Sequence, residues 1–258
     1  MKKIKNYLDG NIYVSLIYRI LIVYLLYTLT RAAFLIYNYS LFSGLDFNEI
    51  FHIFTGGLVF DTSAIVYTNI LFVLLYLVPF KFRHHKTYQR ILMYIFFITN
   101  GIALVANCAD IPYYKFVLKR TTMDFIGQFK HEQNLWALTF KFLIDFWQIT
   151  VFWILMMILM VWLYLKVKVN PPKIKSNLLY SGVGLVMLAV FSGLSVAGAR
   201  GGFRHSTRPI TLSNAGQYVT DPKNMSIVLN TPFTLIQTVE AKPLQKEDYF
   251  TSDELEKI

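Results

Sequence analysis

Five apolar runs, separated by polar loops, dominate the first 200 residues of the chain. They cover residues 12–37, 59–80, 91–109, 135–165 and 178–199. Each has about the 20 residues that a helix needs to cross roughly 30 Å of hydrocarbon. The pattern therefore predicts an all-α membrane protein with five transmembrane helices. The fourth run exceeds one bilayer thickness, so we expect it to tilt or to project beyond the membrane.

The loops between these runs differ in positive charge, and the difference predicts their side of the membrane. With the N-terminus inside, the short cytoplasmic segments carry eleven Lys and Arg residues, whereas the outer loops carry four. Because cytoplasmic loops are enriched in Lys and Arg, we expect an N-in, C-out arrangement with an extracytoplasmic C-terminal tail. The first run is too long for the apolar part of a cleaved signal peptide, and we expect it to be retained as an anchor.

Composition agrees with a membrane protein and narrows its chemistry. The chain is 55% hydrophobic and 16% charged, with a mean hydropathy of +0.45, whereas soluble domains carry about 25% charged residues. Its single cysteine, Cys108, excludes an intramolecular disulfide and a zinc site built on several cysteines. Basic cytoplasmic loops and anionic lipids explain the net charge of +10, so we expect no nucleic-acid partner.

Polar residues within the predicted spans have structural and functional interpretations. Arg19 lies about two turns inside the first span, and we favour snorkelling of its side chain to the cytoplasmic headgroups. Lys141 and Asp145 are four residues apart, a spacing that lets them neutralise each other on one helix face. An ion pathway is the alternative for this pair. We expect Asn100 and Asn107 to pack helix against helix through side-chain hydrogen bonds.

Two outer segments have the composition of interfacial helices. In residues 45–54, four apolar side chains have the spacing of one helix face: Phe47, Ile50, Phe51 and Phe54. We expect this short helix to lie along the outer leaflet. Residues 110–129 combine aromatic side chains with three basic ones: Lys115, Lys119 and Arg120. Interfacial anchoring is the favoured role of both segments, and recognition of lipid headgroups is the alternative.

Motifs for catalysis or metal binding do not stand out in this chain. It has no Gly-rich phosphate loop, no H-E-x-x-H and no Gly-x-Ser-x-Gly elbow. Its five histidines are scattered, apart from a pair in a basic loop. We therefore predict no catalytic residue and no metal ligand here. Residues 225–239 are rich in apolar side chains, so we expect them to dock against the outer face of the membrane domain or against a following domain.

Three stretches carry a resemblance to a known family. They read GLVFDTSAIVYTNILFVLLYLVPF, NCADIPYYKFVLKRTTMDF and RGGFRHSTRPITLSNAGQYVTDPKNMSIVLNTPFTLIQT. With five spans and an outward tail in the same order, the chain resembles the N-terminal membrane domain of the lipoteichoic acid synthase-like, sulfatase-domain membrane proteins of the alkaline phosphatase superfamily. The resemblance covers most of the chain, and its third stretch is the most specific.

The resemblance implies a domain organisation and a chemistry. Residues 1–199 would form a transmembrane domain in the bacterial inner (cytoplasmic) membrane, and residues 200–258 an extracytoplasmic connector. In that family the connector leads to a catalytic domain, where a threonine nucleophile acts beside a divalent metal such as manganese. The chain stops where we expect that domain to begin, so no catalytic residue carries over and the metal is expected in the missing domain.

The stretch RGGFRHSTRPI follows the fifth span directly. We expect Gly201 and Gly202 to end the helix and Pro209 to prevent its resumption. Six residues are candidates for binding lipid headgroups at this face: Arg200, Arg204, His205, Arg208, Lys119 and Arg120. Interface anchoring, or docking of the missing domain, is the favoured interpretation of the arginines.

The pattern and the resemblance support two functional hypotheses. The leading one is a membrane-anchoring module of a lipoteichoic acid synthase-like, sulfatase-family phosphotransferase or hydrolase, which acts on phospholipid headgroups or on phosphate or sulfate esters. Its partners would be membrane lipids and the downstream catalytic domain. The rival hypothesis is a non-enzymatic membrane scaffold or small transporter, which a polar cavity at the bilayer midplane would favour.

Overall fold

The structure, a computed structural model, describes residues 11–42, 44–125, 135–170, 174, 176–202 and 208–240. Within these ranges the regular structure is helical and no β-strand occurs. The α-helices are α1 (Ile12–Tyr37), α2 (Phe47–Leu77), α3 (Lys86–Val117), α4 (Leu135–Asp145), α5 (Trp147–Leu165), α6 (Asn177–Arg200), α7 (Met225–Val228) and α8 (Thr231–Gln237). Four short 3-10 helices lie between them, at Tyr39–Leu41, Lys81–His84, Leu212–Tyr218 and Pro222–Asn224.

Five of these helices, α1, α2, α3, α5 and α6, are long and apolar enough to cross a membrane. The predicted fold class is therefore confirmed, while the side of the membrane on which each end lies stays a prediction. We name the two ends of the bundle by their structure. The tail end is where α1 ends, α2 begins and residues 208–240 pack; the loop end is where Lys81–His84 joins α2 to α3.

The second span begins earlier than its apolar run indicates. Asp46 caps α2 by accepting a hydrogen bond from the Glu49 backbone nitrogen at 2.6 Å, and the helix then continues without interruption to Leu77. Residues 47–54 are therefore the first turns of a transmembrane helix. The structure corrects the prediction of a separate helix along the leaflet: the local cap and a continuous helical backbone join the two segments.

The fourth run forms two helices rather than one. α4 ends at Asp145 and α5 begins at Trp147, with Phe146 between them in a non-helical conformation. The expectation of one tilted or projecting helix is corrected, because the 19 residues of α5 alone are long enough to span. Lys141 and Asp145 are exposed on the short α4.

The helices pack as a bundle in which α1, α2 and α3 contact one another, α5 packs on α1 and α3, and α6 packs on α2. Asn69 of α2 and Asn100 of α3 exchange two side-chain hydrogen bonds, of 3.1 and 2.8 Å, inside this bundle. The predicted helix-to-helix role of Asn100 is confirmed. Each buried amide thereby satisfies the other between the two helices.

The exit from the last span follows the predicted turn. α6 ends at Arg200 and is capped by Gly201, whose φ of +78° lies in the left-handed region that favours glycine. The Gly202 nitrogen bonds back to the Ala197 carbonyl at 2.9 Å. A Cβ at Gly201 would also meet the Ile210 side chain at 2.5 Å. The chain therefore turns sharply here and returns over the tail end of the bundle.

Candidate functional site

Residues 208–240 fold back onto the membrane helices. Ile227, Val228 and Phe233 are fully buried, and the Phe233 ring meets the edge of Phe60 on α2 with ring centres 5.1 Å apart. The predicted docking of this segment is confirmed, and the helices of the bundle are the surface that it docks against.

A buried ion pair between two membrane helices lies beneath this segment. Arg31 of α1 donates from Nη1 and Nη2 to the two carboxylate oxygens of Asp61 on α2, at 2.7 and 2.6 Å. Arg31 is 3% exposed and Asp61 is fully buried. This two-bond geometry matches a planar guanidinium to a planar carboxylate and neutralises both charges.

The same guanidinium binds the tail. Its Nε donates to the Ile227 carbonyl at 3.0 Å and its Nη2 to the Val228 carbonyl at 3.1 Å. Asn230 adds a 2.8 Å bond from its side-chain nitrogen to Asp61. Gly57 makes room for this arrangement, because a Cβ there would overlap the guanidinium of Arg31. One ion pair therefore joins two spans to the backbone of the tail.

A second buried ion pair repeats the pattern on α3. Arg120 donates from Nη1 to Asp110 at 3.0 Å and from Nε to the Ser226 carbonyl of the tail at 2.7 Å. The Thr231 hydroxyl donates to the same carboxylate at 2.8 Å, and the Thr231 backbone nitrogen donates to the Asn107 side chain at 3.1 Å. Asn107 therefore binds the tail, which corrects the prediction that it binds another span.

We call these four charged residues, Arg31, Asp61, Asp110 and Arg120, the tail-end centre. Burial lowers the pKa of Arg120 from its ordinary value, and the charge of Asp110 opposes that shift. The carboxylate oxygens are occupied by protein donors, and no group of three metal-binding side chains occurs in the described parts of the chain. The described residues therefore do not fit a divalent metal. The contacts of the centre hold the tail against the membrane helices.

The predicted headgroup-binding residues fall into three classes of position. Arg120 is buried in the tail-end centre, so its contacts are with protein. Lys119 and Arg208 are exposed at the tail end, and Arg200 is half-buried at the end of α6. Arg204 and His205 lie outside the described residues. Lipid binding by the exposed members stays a prediction.

Sequence reasoning missed Arg31 and did not assign a partner to Asp61. A usable signal was present: two ionisable residues of opposite sign occur near the tail-side ends of consecutive apolar runs. The backbone carbonyls of residues 226–228 carried no such signal, because their role depends on how the tail packs.

The loop end also buries arginines, but among aromatic rings. Arg19 lies 4.0 Å from the ring centre of Tyr164 and 5.0 Å from that of Tyr76, in the last turns of α5 and α2. The structure corrects the prediction that this side chain snorkels to the headgroups, because it lies inside the bundle among these rings and is only 4% exposed. Arg83, in the Lys81–His84 turn, is buried close by.

Comparison with models of known protein families, with curated protein sequences and with solved structures found no match. The resemblance to the lipoteichoic acid synthase-like proteins therefore stays a prediction, and any function must be argued from the geometry of the two ends of the bundle.

Proposed function

We propose that this chain is the membrane-anchoring module of a lipoteichoic acid synthase-like, sulfatase-family phosphotransferase or hydrolase acting on phospholipid headgroups or phosphate or sulfate esters. It holds the connector, and a catalytic domain joined to it, against the outer face of the membrane. The observation that carries the proposal is the tail-end centre, which ties the connector to three spans through buried charges.

A flexible tether would not need such a centre. Two buried ion pairs and five tail residues share one set of hydrogen bonds, which fixes residues 226–231 of the connector against the spans. Breaking one partner of a buried pair costs about 3–5 kcal/mol, which makes release of the connector rare. A fixed position suits an enzyme that must hold its reacting atoms against a headgroup in the membrane plane.

The exposed surface around the connector supports a phospholipid substrate. Four basic side chains are exposed at the tail end: Lys115, Lys119, Arg208 and Lys223. Charges of this sign near a membrane surface attract anionic headgroups, at about 1 kcal/mol for each residue. A docked connector would therefore stand over a layer enriched in the proposed substrate.

The test starts from the gene and ends in an assay. The coding DNA past the codon for Ile258, or beside it, is read, and the encoded protein or pair of proteins is expressed in phosphatidylglycerol membranes. We expect a metal-binding, threonine-centred hydrolase domain, and release of the headgroup from phosphatidylglycerol that requires Mn²⁺. A stop codon with no such domain encoded alongside would overturn the proposal and favour the scaffold or transporter.

A variant then tests the role of the docked connector. Asp61→Ala releases the tail, so we expect slower turnover of membrane phosphatidylglycerol and unchanged turnover of a soluble phosphate ester. Lys141→Gln, which removes one exposed charge on the short helix α4, is the matched control and should leave the docking intact. Equal turnover of the membrane lipid by Asp61→Ala and the native protein would contradict a positioning role for the connector.

A further inference from the structure

Two of the three nitrogens of the buried Arg19 guanidinium lack a hydrogen-bond partner among the described residues. In the described part of the chain, Nε and Nη1 of Arg19 have no acceptor, and the hydroxyl of Tyr164 beside them has no partner either. The aromatic rings of Tyr76 and Tyr164 attract the cation through their faces, but a ring offers no lone pair to a planar N–H donor.

No carboxylate shares this end of the bundle among the described residues. Residues 11–22, 67–96 and 155–187 form the loop end of the bundle. The sequence has no Asp or Glu in these ranges. Asp9 is near in sequence but lies outside the described residues. The described part of the loop end therefore carries buried positive charge without any negative charge.

Arg83 adds a second cation to the same end. It donates to three neutral groups, the hydroxyls of Tyr180 and Tyr13 and the carbonyl of Leu77. These bonds satisfy its N–H groups and leave its charge uncompensated. Arg83 binds the carbonyl of Leu77, and Arg19 lies over the ring of the preceding residue, Tyr76, so the two cations share one neighbourhood.

An anion at this end would neutralise the uncompensated charge. A buried, unpaired cation is costly because no solvent compensates its charge. A water molecule would satisfy a donor but would not neutralise the charge. A phosphate group does both, since its oxygens accept two parallel N–H bonds from a guanidinium.

We propose that Arg19, supported by Arg83 and the Tyr164 hydroxyl, binds the phosphate of a ligand at the loop end of the bundle. The phosphate comes from a phospholipid headgroup or from free phosphate, which share this chemistry. The ring of Tyr164, in the last turn of α5, lies over the guanidinium and places its hydroxyl beside the site. The site lies opposite the tail-end centre and does not depend on the function proposed above.

The test measures retention of lipid by the purified protein. The full chain is extracted in a neutral detergent, incubated with phosphatidylglycerol or with phosphatidylcholine, and analysed by native mass spectrometry. We expect the native protein to retain one phosphatidylglycerol that Arg19→Gln loses, with an affinity lower by about ten-fold or more. Lys141→Gln, which removes one exposed charge on the short helix α4, is the control and should retain the lipid.

The source of the phosphate is resolved by a thermal-unfolding arm. A rise in the melting temperature with phosphatidylglycerol but not with inorganic phosphate identifies a lipid headgroup. A rise with inorganic phosphate alone identifies free phosphate. In both cases the rise must be absent in Arg19→Gln, because a ligand stabilises only the protein that binds it.

Two further variants keep the proposal falsifiable if Arg19→Gln folds poorly. Tyr164→Phe keeps the ring over the guanidinium and removes only the hydroxyl, so we expect the fold to persist and the affinity to fall several-fold. Asp9→Asn should leave retention unchanged. Equal retention of lipid by the native protein and by Tyr164→Phe would overturn the proposal. It would also be overturned if Asp9→Asn destabilised the protein as severely as Arg19→Gln and no ligand changed the stability of either. That second result would identify Asp9 as the counter-ion of Arg19.

Discussion

The two ends of the bundle both bury two arginines, and they compensate them in different ways. At the tail end, Arg31 and Arg120 each meet an aspartate at 3.0 Å or less and also bind carbonyls of the tail. At the loop end, Arg19 and Arg83 meet tyrosine rings, hydroxyls and one carbonyl. The buried positive charges of the tail end are therefore neutralised by carboxylates, whereas those of the loop end are not neutralised by any described residue.

This difference teaches that buried charge serves two purposes in one small bundle. A neutralised pair with saturated hydrogen bonds specifies one arrangement of the chain, here the docked tail. A buried cation with unused donors is costly, and this cost is the basis of the phosphate site proposed above. Substitutions and a change of pH at the two ends test that contrast, from the largest expected effect to the smallest.

Removal of one partner at the tail end should cause the largest loss of stability. Asp61→Ala leaves Arg31 buried without its carboxylate, so we expect the free energy of unfolding to fall by about 3–5 kcal/mol. Denaturant or thermal unfolding in lipid nanodiscs measures this. In a double-mutant cycle, Arg31→Ala with Asp61→Ala should cost less than the sum of the single changes; additive costs would show that the pair is not coupled.

Filling the space that Arg31 occupies should have the next largest effect. In Gly57→Ala the new methyl group overlaps the guanidinium, so we expect a loss of about 1–3 kcal/mol in the free energy of unfolding. Gly193 lies in the span α6 with nothing within 4 Å of a built Cβ, and Gly193→Ala is the matched control. That control should be neutral or stabilising by up to about 1 kcal/mol, and a similar loss in both variants would contradict the packing argument.

A single hydroxyl of the tail should contribute less. Thr231→Val keeps the shape of the side chain and removes its bond to Asp110, which Arg120 continues to bind. We expect a loss of about 0.5–1.5 kcal/mol and faster proteolysis of the tail. Thr220→Val removes an exposed hydroxyl bond to Glu49 and serves as control. An equal effect of both variants would mean that burial of the bond is unimportant.

The smallest effect concerns pH at the loop end. Burial, and next the charge of Arg83, lower the pKa of His84 from its ordinary value of 6.5. Above that pH the imidazole is neutral in both states. As the pH falls below about 6.5, the unfolded chain takes up the proton more readily, so the folded protein loses stability. The melting temperature should therefore decline more steeply towards pH 5 in the native protein than in His84→Gln, and parallel curves would contradict this.

Much of the fold could be predicted from local pattern. The bounds of α1 match its apolar run, and α6 differs from its run by one residue at each end, because a span is defined by its own length and hydropathy. The start of α2 and the break at Phe146 could not be predicted in the same way. The start of α2 is set by the Asp46 cap, which lies before the apolar run, and no proline or glycine marks the break at Phe146.

The candidate sites were less predictable than the fold. An amide side chain in the middle of an apolar run, such as Asn100, by itself predicts packing between helices. Its partner is another asparagine, Asn69, on the neighbouring span. The basic surroundings of Arg120 predict lipid binding, yet this residue is buried beneath the tail. The charge of a residue is visible in the sequence, but its burial depends on a segment that arrives about 100 residues later.

The sequence by itself determined the five spans, the absence of acidic residues from the helix segments of the loop end and the apolar character of the tail. Each of these is a property of a short stretch, set by the transfer of its own side chains between water and hydrocarbon. Only the tertiary structure decided which arginines are neutralised. Arg31 binds Asp61 on the neighbouring helix, and it binds the carbonyls of residues 227 and 228, which lie 196 and 197 positions further along the sequence. The energy of a buried charge is set by what surrounds it, and those surroundings exist only once the chain has folded.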